Sequence, residues 1–348
     1  MDPGAAANHV SREQPRATRL FEITPTVHRI ALPTEFICGD VNAYLVSGPR
    51  PTLIDTGVAW ERSLGCLEAA LATLGLRVGE LATVVLTHPH ADHAGAAATL
   101  QARSGAEVLV HERALGRLAD PVRSSERETP WMRQFFLRAG FEPALVERYG
   151  SVAKELGRWQ EACPAARGYR AGDRIDLGAG RTLLVHETFG HTTSHGSFEL
   201  EGQGLLFTGD HVLPDITPNP VLEAPEPPEA AKPKPLLAYA ESLERVAALA
   251  VTTACPGHGR SFGELASRCR ALREHQQRRV AQVAELLASS PGATLRELSL
   301  GLFGRVPLWE IYLTISEVSA AIEVLEHEGR LVRRLDRGAG EVERFELG

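Results

Sequence analysis

The stretch THPHADHAGA (87–96) sets His88, His90, Asp92 and His93 within six positions, directly after a short apolar run (81–86). Imidazole nitrogens and carboxylates are donors that zinc and similar divalent ions accept, and a turn at a strand end can converge them. At this chain's histidine usage, H-x-H-x-D-H arises by chance in roughly one sequence of this length in a thousand. One zinc takes three or four ligands, and a tight turn cannot aim all four of these donors at a single ion. Further ligands are therefore expected downstream. Each ending a strand-like run, the candidates are His191 in TFGHTTSH, Asp210 in LLFTGDH and His258 in CPGHG. Five imidazoles and two carboxylates suffice for two ions sharing a bridging oxygen ligand.

The elements that must position these loops alternate. TVHRIAL (26–32), VNAYLVSG (41–48) and PTLIDTG (51–57) are rich in β-formers and bounded by Pro and Gly, which predicts a meander. ERSLGCLEAALATLGL (61–76) has leucines at helical spacing. ATVVLTH (82–88) reads as a buried strand, HAGAAATLQARSG (93–105) as a helix stopped by Gly105, and AEVLVH (106–111) as a strand. Residues 112–170 read as a helical insertion. Its Trp131, Phe135, Phe136, Phe141 and Trp159 are weighed as a roof over the metal edge that offers an apolar wall to an acyl chain or ring, against simple packing of the insertion onto the domain, which is favoured for any single ring; as a group they favour a small organic substrate. Strands resume at RTLLVHET (181–188), GSFEL (196–200) and GLLFTGD (204–210). A loop with eight prolines (214–235) follows, a lid or merely a connection, and its place directly after Asp210 and His211 is consistent with a role at the site mouth. VTTACPGHG (251–259) closes this part as a strand and turn.

The remainder changes character. RCRALREHQQRRVAQVAELLASS (268–290) predicts a long helix, Thr294 and Glu297 have capping-box spacing, and LWEIYLTISEVSAAIEVLEHEG (308–329) carries an apolar stripe. RLVRRLDRGAGEVERFEL (330–347) reads as a hairpin. The expected organisation is a disordered tail at 1–18, a catalytic domain at 19–264 and a winged-helix-like domain at 265–348.

Composition bounds the rest. With 348 residues, 43% hydrophobic and 23% charged, the chain is an ordinary globular protein of one large and one smaller domain. A formal charge of -7 gives no global footprint for nucleic acid. Cys38, Cys66, Cys163, Cys255 and Cys269 are scattered and never form CxxC, so neither a disulfide framework nor a cysteine zinc knuckle is expected. A reducing cytoplasm is the expected compartment. Residues 1–18 lack the apolar core of a secretory signal and no long apolar run occurs, so neither export nor a membrane span is expected.

Taken in order, H-x-H-x-D-H, G-H-T, F-T-G-D and P-G-H-G resemble the metallo-β-lactamase superfamily, in its glyoxalase II and related hydrolase branch, over about residues 20–262. The resemblance implies an α+β fold, an αββα sandwich with two metals at one edge of the sheets. It implies that His88, His90 and His191 hold the first zinc, that Asp92, His93 and His258 hold the second, and that Asp210 bridges them. Iron or manganese are the other ions such a site accepts. A bridging hydroxide would attack while the ions polarise the electrophile and steady the leaving group, and Asp92 could also relay a proton. Within the family an aspartate at the place of Asp55 supports a ligand histidine, weighed here against a plain Asp-Thr-Gly turn. His195 and His211 flank ligand candidates and are candidates for supporting a ligand or meeting substrate, weighed against the favoured reading of a solvated or hydrogen-bonded histidine, whereas His111 and His186 read as structural.

The same ligands serve thioesters, lactones, other esters and RNA within the superfamily. Asp210 stands where dedicated zinc β-lactamases usually carry Cys or Ser, and His90 where diiron flavoproteins carry Glu. The C-terminal part resembles the winged-helix extension of a group that includes single-stranded RNA endoribonucleases. Its third helix nevertheless holds Glu310, Glu317, Glu323, Glu326 and Glu328 and no Lys or Arg, which repels phosphate. Basic residues gather on the preceding helix (Arg268, Arg270, Arg273, Arg278, Arg279) and the hairpin (Arg330, Arg333, Arg334, Arg337). The expectation is a dinuclear zinc hydrolase of a small organic ester, thioester or lactone. An endoribonuclease ranks second and a mononuclear iron dioxygenase third, with a noncatalytic scaffold behind them. Nucleic acid is disfavoured as a partner, and the C-terminal part is expected to pack beside the site mouth or to make a homodimer.

Overall fold

The computed structural model describes residues 19–348 except Ile37 and residues 157–158, 227–229 and 339–340, so the tail expected at 1–18 lies outside the described residues. A seven-stranded sheet runs in order β1 (Leu20–Thr24), β2 (Val27–Leu32), β3 (Val41–Val46), β4 (Thr52–Ile54), β5 (Thr83–Val85), β6 (Glu107–His111) and β7 (Arg167–Tyr169). Its first four strands pair antiparallel, as a meander must, and β4 to β7 pair parallel. The parallel part follows from the crossover helices α1 (Glu61–Thr73), α2 (Ala91–Ala94) and α3 (Ala97–Ser104), which parallel pairing requires. Gly105 ends α3 in the left-handed conformation at φ 70°, as expected. The second sheet has the order β12 (Thr253–Pro256), β11 (Leu205–Gly209), β10 (Gly196–Leu200), β9 (Arg181–Glu187) and β8 (Arg174–Gly178).

Strand β3 is buried on both faces, and its period of two sorts them. Val41, Ala43 and Leu45 face the helices α1 and α3, while Tyr44 and Val46 face the second sheet through Val185, Phe198 and Phe207. The outer face of the second sheet is covered by α7 (Pro235–Ala247) and the start of α8 (Leu265–Ser289). The result is helix, sheet, sheet, helix: the α+β sandwich expected.

The insertion contains α4 (Leu115–Ala119), α5 (Pro121–Arg138) and α6 (Pro143–Leu156). Its aromatics divide. Phe136 and Phe141 are buried in one core with Val283, Leu287, Ile315, Val318 and Phe345 from the C-terminal part, and Phe135 packs at its edge. Trp131 stacks on Phe135, and Trp159 meets Phe36 edge-on at 5.2 Å. The three phenylalanine rings bury their area against apolar helix faces, as packing of the insertion onto the fold requires, and form no roof over the metal edge. Those faces belong to α8, α9 (Leu295–Phe303) and α10 (Ile311–His327), followed by the hairpin β13 (Leu331–Asp336) and β14 (Val342–Leu347). The capping box forms as read: the Glu297 backbone N–H donates to Thr294 Oγ1 at 3.1 Å, and the Thr294 N–H to Glu297 Oε2 at 2.8 Å. Among the described residues, no helix is long and apolar enough to cross a membrane.

Candidate metal centre

Parallel pairing brings like ends of strands together, which gathers the motifs at one edge. β4 beside β5 sets Asp55 next to Thr87 and His88, and β11 beside β12 sets Asp210 next to His258. Asp55 lies in the left-handed region at φ 59°, where a non-glycine residue costs about 1–3 kcal/mol. It is held there by its N–H donating to Val85 O at 2.9 Å, and its carboxylate organises two donors. One oxygen accepts from Thr87 N at 2.7 Å; the other accepts from Thr87 Oγ1 at 2.8 Å and from His93 Nδ1 at 2.8 Å.

This network fixes tautomers. The Thr87 hydroxyl spends its proton on Asp55, so His88 Nδ1, 3.0 Å from Thr87 Oγ1, is the donor, and its Nε2 keeps a bare lone pair. His191 Nδ1 donates to Asn219 O at 2.8 Å, which leaves its Nε2 bare as well. Both lone pairs aim at one point: His90 Nδ1 is 2.9 Å from His88 Nε2 and 3.1 Å from His191 Nε2. His88, His90 and His191 therefore form one group that could hold a metal ion.

The second group lies beside it. His93 is oriented by Asp55, and His258 Nδ1 donates to Asp40 O at 2.9 Å, so both Nε2 atoms point inward. His258 Nε2 is 3.4 Å from Asp92 Oδ2 and 3.5 Å from Asp210 Oδ2, and His93 Nε2 is 3.4 Å from Asp210 Oδ1 and 3.8 Å from Asp92 Oδ2. Asp210 Oδ2 is also 3.8 Å from His191 Nε2, which places this carboxylate between the groups. His93 Nε2, His258 Nε2 and Asp210 Oδ1 are buried without a well-directed hydrogen bond, an arrangement that is costly unless a cation or proton lies between them. Rings tied from behind with free lone pairs inside are what metal ligation requires. The seven donors expected from sequence are all brought together, and they fit two divalent ions.

Electrostatics separates the groups. Burial lowers the pKa of His88, His90 and His191, reinforced at His88 and His90 by neighbouring imidazoles, with His90 at about 3. At His93 and His258 burial also opposes charge, but Asp210 and its neighbouring carboxylates outweigh it and raise both. Burial would raise Asp92 and Asp210; the adjacent imidazoles instead hold both low, Asp92 at about 2.

Supporting residues complete the picture. His195 is fully buried; the Asp210 N–H donates to its Nε2 at 3.1 Å, so its Nδ1–H donates to Thr188 Oγ1 at 2.8 Å. It positions Asp210. His211 is likewise fully buried, its ring 4.9 Å from that of Tyr239. His111 pairs with Glu187 and His186 with Glu199, as structural histidines. Gly257 in P-G-H-G is required by space, since a Cβ there would sit 2.2 Å from Asp210 Oδ1.

Two features were not legible in the sequence. Asn219, in the proline-rich loop, orients His191 with its carbonyl while its Nδ2 donates to Leu313 O of α10 at 2.8 Å. The same loop is held to α10 by Leu222 N donating to Ser316 Oγ at 3.1 Å, and by Lys232 pairing with the buried Glu323. Cys38 is the other: half-buried between β2 and β3, it groups with Asp92 and His258, with Sγ 3.9 Å from Asp92 Oδ2. No ligand spacing in the sequence marks it.

Comparisons with known proteins agree with this architecture. Residues 37–258 match the metallo-beta-lactamase superfamily. The chain is 31% identical over 309 residues to the probable metallo-hydrolase YqjP of Bacillus subtilis (strain 168), spanning 88% of this chain and 93% of that protein. A metallo-beta-lactamase family protein from Thermus thermophilus superposes with a TM-score of 0.79 at 28% identity, over 94% of this chain and 100% of the other. A beta-lactamase domain protein from Burkholderia ambifaria gives 0.81 at 26%, over 97% of each. The chain belongs to the metallo-β-lactamase superfamily.

Proposed function

We propose that this chain is a hydrolase that holds two divalent ions, zinc first among them, and cleaves a small organic ester, thioester or lactone. The observation that carries the reading is Asp210 lying between a three-histidine group and a group of Asp92, His93 and His258. Two ions held there would supply electrophilic activation and a water acidic enough to act as nucleophile near neutral pH. The chain's own part is to fix the donors. Asp55 holds Thr87, and through it His88, as well as His93; His195 holds Asp210; Asn219 holds His191; Asp40 holds His258.

Substrate size is supported by a cavity of about 770 Å³, in the range of small-molecule sites, bounded by Arg113, Arg117, Trp131, Thr193, Ser194 and Glu223; Thr193 stands two residues along the chain from His191, and the seven donors themselves are not in its lining. That lining is mixed, with Trp131 of the insertion, Pro225 and Pro233 beside the charged groups. Against RNA stands the use of the arginines. Arg273 pairs with Glu244, Arg278 with Glu274, Arg279 with Glu317, Arg333 with Glu326 and Arg334 with Glu346. Charges neutralised within the fold attract phosphate weakly. We read residues 265–348 as a winged-helix-like domain that braces the proline-rich loop, and we place the protein in the cytoplasm.

The test is an assay of metal-quantified protein against thioesters, lactones, aryl esters, a cephalosporin and single-stranded RNA, with Asp210→Ala and His90→Ala as controls. Turnover of one of the first three classes, lost in both variants, is expected. Activity on RNA alone would overturn the substrate class, and activity surviving both substitutions would overturn the site.

A further inference from the structure

The second donor group has an unexplained neighbour. Cys38 Sγ lies 3.9 Å from Asp92 Oδ2, within one cluster with the ligating atoms of Asp92 and His258. Donors bonded to one ion at about 2.0–2.3 Å lie about 3.3–3.8 Å apart at the tetrahedral angle and up to about 4.0 Å apart at 120° in a five-coordinate ion. The Asp92, His93, His258 and Asp210 spacings of 3.4–3.8 Å fall in this range, and the sulfur, 3.9 Å from Asp92 Oδ2, fits as a fifth donor. His258 Nε2, in a residue only 3% exposed, and His93 Nε2, in one that is fully buried, are aimed into the same space without a well-directed hydrogen bond. The backbone also ties the thiol to this group: Asp40, two residues on, orients His258, and Val41 bridges to His258.

We propose that Cys38 is a sulfur donor to the ion held by Asp92, His93 and His258, a role that rests on the two-ion reading above. A thiolate makes the second position softer than the all-imidazole first one. Cobalt and cadmium are then favoured there over manganese, and thiol-modifying agents act on this half of the site. The buried Cys163, Cys255 and Cys269 lie in apolar clusters, and none of them joins a donor group.

Loading metal-free protein with cobalt tests this. The first equivalent should give only d–d absorption, and the second should bring a near-ultraviolet thiolate-to-cobalt band. Cys38→Ser should abolish that band and weaken the second ion by about tenfold while sparing the first, whereas Cys66→Ser should leave both unchanged. In the unmodified chain, iodoacetamide should label Cys38 at least about tenfold more slowly once two ions are bound, a readout that needs no variant. Two bound ions with no charge-transfer band, or a band that survives Cys38→Ser, would overturn the sulfur ligand alone. Failure to bind two ions would overturn the two-ion reading beneath it.

Discussion

In one half of the site three imidazoles converge, two of them forced by their rear hydrogen bonds to present bare lone pairs; in the other, two imidazoles face Asp92 and Asp210. The residue types overlap, yet their response to protons is opposite. Burial among like neighbours keeps the first group neutral, so an ion can enter without displacing protons. Carboxylates raise His93 and His258, so an ion entering the second position must compete with protons already there. The supports differ too. The second group is anchored within the sandwich by Asp55 and Asp40, while His191 of the first leans on a loop strapped to α10.

The largest expected effect comes from erasing the element the halves share. Asp210→Ala should lower hydrolysis by about a thousandfold or more and reduce bound metal below two per chain, read by steady-state assay and elemental analysis. Asp55→Asn comes next. Because Asp55 holds both His93 and, through Thr87, His88, affinity at both positions should fall by about 10- to 100-fold in chelator competition. Loss confined to one position would show that the halves are organised independently.

The pH dependence sharpens the contrast. Raised imidazole pKa values mean protons are bound at neutral pH and released by the incoming ion, so affinity at the second position should rise with pH, by up to about tenfold per unit for each proton displaced. The lowered values of the first group mean that its affinity stays flat above about pH 6.5 and falls only in acid. Calorimetric titration in buffers of different ionisation enthalpy reads both. The smallest effect is expected for Asn219→Ala, which unties the loop from Leu313 and should weaken the first ion by only about a few-fold, leaving the second untouched.

How much of this was legible in sequence divides along physical lines. The seven donors could be read because each sits near a strand end within a short, distinctive run, and the paired capping residues Thr294 and Glu297 because their interaction is local. β1, β7 and β8 carry no such mark: Arg167–Tyr169 is three residues long, and its pairing with β6 supplies what its composition does not. α7 begins at Pro235, so the residue that looked like the end of a proline-rich loop is a helix first turn. The packing of the aromatic insertion could not be settled from sequence because ring composition cannot say which apolar face a helix meets. Cys38 and Asn219 act across 54 and 28 residues respectively, and separations of that kind leave no spacing to read.

Titrating zinc into metal-free protein at pH 6.5 and pH 8, with occupancy counted by native mass spectrometry, tests the proposed pair of unequal ion positions most directly. Two zinc ions per chain are expected, with binding of the first nearly equal at the two pH values and binding of the second markedly tighter at the higher one. Saturation at a single ion, or two ions that respond alike to pH, would contradict the proposal.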